Sequence, residues 1–259
     1  MLDETIITQA IIESYLKELI KNLKVDVIIA GAGPSGLVAS KYLAEANLKT
    51  VIFERKLSIG GGMLGGGMMF NNIVVQDDAK RIMDDFNIKT QKYKENYYIA
   101  DAIESVAKLT SKAIDAGVKI FNLISVEDVK IDSNFRVNGA VINWTSVEMA
   151  KLHVDPMTFE SRCLLDTTGH DASVVNVVLK KIPNAKLNTP SGKIEGELSM
   201  NAEIGEKILL ETTKEIYPGL YVAGMAANAC SGGQRMGPIF GGMLLSGEKV
   251  AKIIIDKIK

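Results

Sequence analysis

The segment from Val25 to Arg55 constrains the fold more than any other part of the chain. An apolar run, Val25-Asp26-Val27-Ile28-Ile29-Ala30, leads into Gly31-Ala32-Gly33-Pro34-Ser35-Gly36. A helical pattern follows from Leu37 to Ala46, and a second β-branched run, Thr50-Val51-Ile52-Phe53, ends on Glu54-Arg55. Strand, glycine turn, helix and strand in this order predict a Rossmann-like α/β unit. Each glycine has its own task. Gly31 permits the tight turn out of the strand, Gly33 lets a phosphate approach bare backbone, and Gly36 lets the helix pack close to the sheet. Free N–H groups and the positive end of the helix dipole then face a pyrophosphate. Glu54 falls eighteen residues after Gly36, at the tip of the second strand, where a carboxylate accepts both ribose hydroxyls. The prediction is an adenine dinucleotide site. A carboxylate there repels a 2′-phosphate and favours NAD or FAD over NADP, while Arg55 beside it works against that preference.

Length allows one large α/β domain spanning all 259 residues, with a central parallel sheet. It is too short for separate FAD and NADPH domains beside a catalytic partner domain. The net charge of −1, with both signs mixed along the chain, gives no electrostatic case for nucleic acid. Two cysteines, Cys163 and Cys230, lack metal-ligand spacing, and Cys163 sits in an apolar run that suits a buried small hydrophobe. Residues of about 4–23 read as an amphipathic helix with Ile7, Ile11, Tyr15 and Leu19 on one stripe. That start resembles neither a signal nor a transit peptide, and no apolar run reaches membrane length, so the expected location is the cytoplasm.

Beyond the nucleotide unit lies Ile59-Gly60-Gly61-Gly62-Met63-Leu64-Gly65-Gly66-Gly67-Met68-Met69. Six glycines in eight positions disfavour a stable helix or strand. The loop is either flexible or wrapped around a ligand, and its place just after the ribose carboxylate favours the second. Gln76 to Phe86 and Ala102 to Ala116 read as helices. A small antiparallel meander is expected over about 118–144, its last two strands joined at Asp132-Ser133-Asn134. Arg162 to Thr168 reads as a buried strand, Ala172 to Lys181 as a helix, and Tyr221-Val222-Ala223 as a last core strand. Pro183 to Ser199 is polar and reads as a loop or lid. Pro238 is expected to start a final helix.

Candidate chemistry is sparse. The only two histidines, His153 and His170, each stand near an aspartate, in His153-Val154-Asp155 and His170-Asp171. Imidazole and carboxylate suit a divalent transition metal, iron especially, but they equally suit a strand cap and a solvated loop. Arg235, in Gly233-Gln234-Arg235-Met236-Gly237-Pro238, is either a bidentate clamp for a small carboxylate or a surface arginine.

Taken together, the segments GAGPSG, FERKLSIGGGMLGGGMMF, HVDPMTFESR, DTTGHDA, YPGLYVAGM and GGQRMGPIFGGMLLSG resemble the thiamine thiazole synthase family, archaeal type. The resemblance spans most of the chain. It implies a glutathione-reductase-like nucleotide fold, ring-shaped homo-octamers, and synthesis of the thiazole precursor of thiamine from NAD, glycine and sulfur. Residue by residue, it implies that Ser35, Glu54, Arg55 and Gly62 hold the ADP moiety, that Val126 touches adenine, and that Met225 touches the ligand. His153 and Asp155 would line the ribose-derived end, and Arg235 would grip the glycine carboxylate. Asp155 and His170 match iron(II) ligands that the family draws from neighbouring subunits.

One position divides that family. Some members carry a cysteine where this chain has His153, and it surrenders its own sulfur in a single turnover. Imidazole has no sulfur to give, so this chain resembles members that take free sulfide and act repeatedly; His153 would either shuttle protons or act through shape and hydrogen bonding. A second comparison concerns flavin. Ala223-Gly224-Met225 lacks the aspartate that FAD enzymes of this broad fold usually place here, and the arginine common after the early Gly-Gly is replaced by Gly62-Met63. Three readings therefore compete: the thiazole synthase, a small FAD-dependent oxidoreductase, and a non-catalytic NAD-binding regulator. The last would leave both His/Asp pairs and Arg235 without a task.

Overall fold

The computed structural model describes residues 1–259. Helix α1 (Glu4–Lys21) is capped by Asp3, whose carboxylate accepts from the Thr5 and Ile6 N–H groups. Only the second half of its apolar stripe is packed. Leu19 is buried and Tyr15 sits 5.7 Å from the Phe121 ring and 5.8 Å from Trp144, whereas Ile7 and Ile11 remain exposed.

Strand β1 (Lys24–Ala30), helix α2 (Pro34–Glu45) and strand β2 (Thr50–Glu54) form the predicted nucleotide unit. Strand β3 (Asn72–Val75), helix α3 (Asp77–Asp85), strands β4 (Gln91–Lys94) and β5 (Tyr97–Asp101) and helix α4 (Ala102–Asp115) follow. These three strands make a separate antiparallel sheet, ordered β3-β5-β4, which the sequence pattern did not predict. Next come β6 (Lys119–Asn122), β7 (Ile124–Ile131), β8 (Val137–Trp144) and the short helix α5 (Thr145–Met149). The chain then runs through β9 (Met157–Asp166), α6 (Ser173–Lys181), α7 (Ala202–Thr212), β10 (Lys214–Tyr217), β11 (Leu220–Val222), α8 (Met225–Ser231) and α9 (Gly241–Ile258).

The main sheet has the path β10-β11-β9-β1-β2-β6, parallel from β11 to β6 and closed at one edge by antiparallel β10. Its central strands β1, β2 and β11 carry apolar runs because both faces are covered there. Val27 and Ile29 of β1 enter a core cluster shared with α2, α4 and α9, while Ile28 and Ala30 enter another shared with β7, β8 and α6. Alternation along the strand thus feeds two cores.

Three expected boundaries are corrected, and among them the strand expected over Arg162 to Thr168 runs instead from Met157 to Asp166. Residues 118–144 do not form one meander: Lys119–Asn122 is β6, paired in parallel with β2, and the antiparallel pair begins at Ile124. Leu123, with φ of +57°, breaks the chain between them. A short apolar run carries no mark of which partner it will take, so periodicity could not separate the two. The turn after β7 is as expected, with Asp132 accepting from the N–H groups of Asn134 and Arg136. Strand β9 joins the layers. Met157–Glu160 pairs with antiparallel β8, and from Glu160 onward the strand runs beside β1. The final helix begins at Gly241, three residues beyond the expected Pro238 start. No helix is long and apolar enough to cross a membrane.

Candidate active site

A cavity of about 740 Å³ opens at the carboxyl ends of the parallel strands, with Gly31, Glu54, Thr167 and Ala223 marking the ends of β1, β2, β9 and β11. Sheets of this kind leave such a crevice where the connections after neighbouring strands diverge. Gly31 has φ of +100°, and a Cβ there would lie 2.7 Å from the Thr167 carbonyl oxygen. At Gly36 a Cβ would lie 2.4 Å from the Gly31 carbonyl oxygen, so this glycine sits beneath the cavity and sets how closely α2 approaches the turn. Around Gly33 the space is open, its notional Cβ meeting nothing nearer than 4.0 Å. No side chain caps α2, which leaves the N–H groups of its first turn for a ligand. Ser35, in that turn, lines the cavity.

Glu54 is buried and held from both sides. Its Oε2 accepts from the Ala32 N–H and its Oε1 from the Lys56 N–H, both at 2.8 Å. Each oxygen keeps a further lone pair, enough for a ribose diol. The glycine-rich loop is ordered against the same turn. Gly60 N–H donates to the Ala32 carbonyl at 2.9 Å, Gly61–Gly65 forms a single 3₁₀ segment, and Met63 is fully buried as its anchor. Gly62 lines the cavity and Val126 of β7 completes this wall.

The opposite wall begins at Asp166, the fully buried last residue of β9. One oxygen accepts from the Thr168 N–H and hydroxyl, and the other accepts from the Val174 and Val175 N–H groups at the start of α6. Burial pushes its carboxyl above the ordinary range against the pull of those donors. The turn it braces, Gly169–Asp171, presents His170 and Asp171 to the cavity. Asp171 meets Arg55 Nη2 at 3.0 Å; the pair is half exposed, so it orients Arg55 more than it stabilises the fold. His170 Nδ1 lies 2.8 and 2.9 Å from the two carboxylate oxygens of Glu197. Met225, the first residue of α8, and Arg235, with an exposed side chain, line the same space.

Most predicted positions therefore converge. Three do not: Gly36 lies beneath the cavity, and His153 and Asp155 lie on the exposed connection between α5 and β9, outside the cavity lining. That connection is tied down at Val154, whose carbonyl accepts from Asn143 Nδ2 at 3.1 Å. No three His, Cys, Asp or Glu side chains within the chain converge as a metal site. His170 offers one nitrogen donor, so a metal there would need ligands from substrate or from a second chain. Cys163 and Cys230 are buried and line no part of the cavity. Burial pushes the Cys163 thiol up to about 12 and raises Cys230 as well.

Asp171, paired with His170 in the sequence as a candidate metal donor, instead pairs with Arg55. Asp166 and Glu197 are site builders the sequence pattern did not mark: Asp166 lies in DTTGHDA at the end of an apolar run, and Glu197 sits in a polar stretch where nothing local distinguishes it from Glu195.

Comparison with known proteins agrees over nearly the whole length. The Thi4 family model matches residues 8–240. A thiamine thiazole synthase of Methanothermobacter thermautotrophicus is 56% identical over 258 residues, covering 100% of this chain and 99% of that protein. One from Pyrococcus furiosus is 54% identical over 258 residues, again covering 100% and 99%. The crystal structure of Thermovibrio ammonificans THI4 superposes with a TM-score of 0.97 at 48% identity, covering 100% of this chain and 99% of that one.

Proposed function

The chain belongs to the Thi4 family, and from that premise we propose that it is a thiamine thiazole synthase that builds an adenylated thiazole carboxylate from NAD, glycine and free sulfide. The observation that carries this reading is one cavity joining a dinucleotide turn (Gly31, Gly33, Ser35) to an imidazole, His170, and a guanidinium, Arg235. A simple NAD-binding module has no use for the last two. Met225 lines the cavity where a flavin enzyme would place an acid, which disfavours the FAD-dependent alternative.

In this reading the uncapped start of α2 binds the pyrophosphate and Glu54 the adenosine ribose. Arg55, Gly62 and Val126 hold the rest of the ADP moiety. Loss of nicotinamide leaves a sugar whose carbonyl condenses with glycine, and Arg235 orients that glycine through a two-point grip on its carboxylate. His170, with Asp155 contributed by a neighbouring subunit, would hold iron(II), whose chemistry is to bind sulfide and present it as a nucleophile. The donor types suit that metal, and the exposed position of the 150–156 connection supports a site shared between copies. His153, on the same connection, would reach the ribose-derived end and hold or move a proton there. The exposed apolar residues Ile7 and Ile11 of α1 support self-association, for which an octamer is the family expectation. The whole chain, 1–259, acts as a single dinucleotide-binding domain of the glutathione-reductase type, working in the cytoplasm, where its two free cysteines stay reduced.

His153 stands where single-turnover relatives keep their sulfur donor, so the reaction consumes external sulfide and spares the protein. An anaerobic assay with NAD, glycine, iron(II) and sulfide, counting product per chain and weighing the protein before and after, tests this. Several products per chain and an unchanged mass are expected. Product without sulfide, from a chain lighter by one sulfur, would overturn the sulfide-dependent reading.

A further inference from the structure

Glu197 belongs to the polar stretch between α6 and α7, yet this stretch is zipped onto α8 and the loop after it. Glu195 and Gly196 donate their N–H groups to the carbonyls of Cys230 and Ala229, at 3.1 and 3.0 Å. Leu198 N–H donates to the Gly233 carbonyl, Arg235 N–H to the Leu198 carbonyl, and Asn201 N–H to the Arg235 carbonyl, at 3.0, 3.2 and 2.9 Å. Glu197 thus sits on a fixed backbone between His170 and Arg235, and its side chain is only 17% exposed.

Asn228 of α8 holds the carboxylate from behind. It is fully buried, and its Nδ2 faces Glu197 Oε1 at 3.3 Å and the carbonyls of Gly233 and Gln234 at 3.2 and 3.1 Å. A Cβ at Gly233 would fall 1.8 Å from Asn228 Oδ1, so the glycine lets this amide serve both segments. Because Glu197 Oε1 faces an N–H donor, that oxygen is an acceptor. The oxygens of an ionised carboxylate only accept, so with both Glu197 oxygens facing His170 Nδ1 that nitrogen carries the proton. The other ring nitrogen, Nε2, has no hydrogen-bond partner in the protein and keeps its lone pair, although half of the His170 side chain is exposed.

We propose that Glu197 is a positioning residue that locks His170 as its Nδ1–H tautomer, leaving Nε2 as the donor offered to the cavity. The tautomer follows from hydrogen-bond geometry alone; its use in binding a metal rests on the function proposed above. A carboxylate behind an imidazole fixes the ring and raises the basicity of the free nitrogen, and losing such a partner costs about 10–100-fold in metal affinity. An ordinary half-exposed ion pair would do neither.

With two histidines in the chain, ring nitrogens can be read directly in full-length protein labelled with ¹⁵N-histidine. Spectra are recorded without metal at a pH where the rings are neutral, and His170→Gln supplies the assignment. The wild type should show His170 Nδ1 protonated and Nε2 bare. Glu197→Ala should give mixed tautomers, as expected for exposed His153, whereas Glu197→Gln, whose amide oxygen still accepts, should restore the Nδ1–H form. Cobalt(II) binding, followed by its absorption, should weaken by about 10–100-fold in Glu197→Ala and by less in Glu197→Gln. An unchanged His170 tautomer in Glu197→Ala, or a protonated Nε2 in the wild type, would overturn the proposal. If Glu197→Ala does not fold, Glu197→Gln decides: loss of the Nδ1–H form there overturns it, and retention with weaker cobalt supports it. A tautomer that responds to Glu197 in a protein that takes up no cobalt would uphold the positioning role and overturn the metal reading instead.

Discussion

The nucleotide turn and the His153–Asp155 connection are built in opposite ways. At the turn, Glu54 is buried and bonded to two backbone N–H groups, Gly31 and Gly36 nestle against carbonyl oxygens, and the glycine loop is pinned through Gly60 and Met63. The framework there is held within the chain, and only the first-turn N–H groups of α2 and the spare lone pairs of Glu54 are left for a ligand. Along 151–156 each residue is exposed, and neither His153 nor Asp155 makes a side-chain hydrogen bond or lines the cavity. One region is a finished binding surface; the other holds donors with nothing in their own chain to act on. Complete regions can be tested by disturbing their packing, and open ones by removing what they would offer to a partner.

The largest effect should follow from the open region. If Asp155 and His170 hold iron as proposed, Asp155→Ala and His170→Ala should each lower product formation at limiting iron by on the order of 100-fold or more, since even outer partners of metal ligands cost about 10–100-fold. NAD binding, measured by calorimetry, should survive in both. If Asp155→Ala kept normal activity, the 151–156 connection would have no role in the site and the contrast would dissolve. Mixing inactive Asp155→Ala chains with inactive His170→Ala chains sharpens it: recovered activity would mean that one copy supplies what the other lacks.

At the nucleotide turn the reverse pattern is expected. Gly31→Ala forces a side chain into φ of +100° and to within 2.7 Å of the Thr167 carbonyl. Strain of about 1–3 kcal/mol should appear as a lower melting temperature and weaker NAD binding. An unchanged NAD affinity would show that the turn has slack and is not the fitted surface described above.

The same contrast explains what could be read in the sequence. The turn was legible because its signal is local: Gly31, Gly33 and Gly36 stand at fixed spacing between two apolar runs, although Gly31 and Gly36 pack against the distant Thr167, and Glu54 closes the unit one helix later. Strands β3, β4, β5 and β10 were missed because they are only four or five residues long, too short for a period to declare itself; β4 is exposed at all four positions and is defined only by its pairing with β5. Glu197 was invisible for a related reason. Its meaning comes from His170 and Asn228, each about thirty residues away or nearly so, and no spacing rule connects them. His153, Asp155 and Arg235 stood out by residue type alone, and the roles proposed for them come from motif resemblance, which carries information about neighbours that local patterning does not.

Arg235 lies between these extremes. Its backbone is paired with Leu198 and Asn201, while its guanidinium is exposed and lines the cavity. Arg235→Ala should therefore leave the fold intact and raise the glycine concentration needed for half-maximal rate by roughly 10–100-fold, the value of a hydrogen bond to a charged group at about 1.5–3 kcal/mol. The maximal rate should change less. A fall in maximal rate with unaltered glycine dependence would assign Arg235 to another step.

The smallest effect concerns the two native thiols, and it is a predicted lack of reaction. Alkylation requires thiolate, and with the Cys163 thiol pushed up to about 12, only roughly one molecule in ten thousand carries it at pH 8. Burial raises Cys230 in the same direction and shields both sulfurs from reagent. The folded protein should resist iodoacetamide for as long as it stays folded, and both cysteines should react at once in denaturant. The His153→Cys variant places a third thiol on the open connection, where nothing in the chain buries it. That cysteine should be modified quickly in isolated chains and slowly in any assembly where a second copy covers residues 151–156. Comparing its rate at low and high protein concentration reads the coverage directly. Rapid labelling of Cys163 or Cys230 in the native wild type would mean that the core opens readily, and either sulfur would then return as a candidate donor.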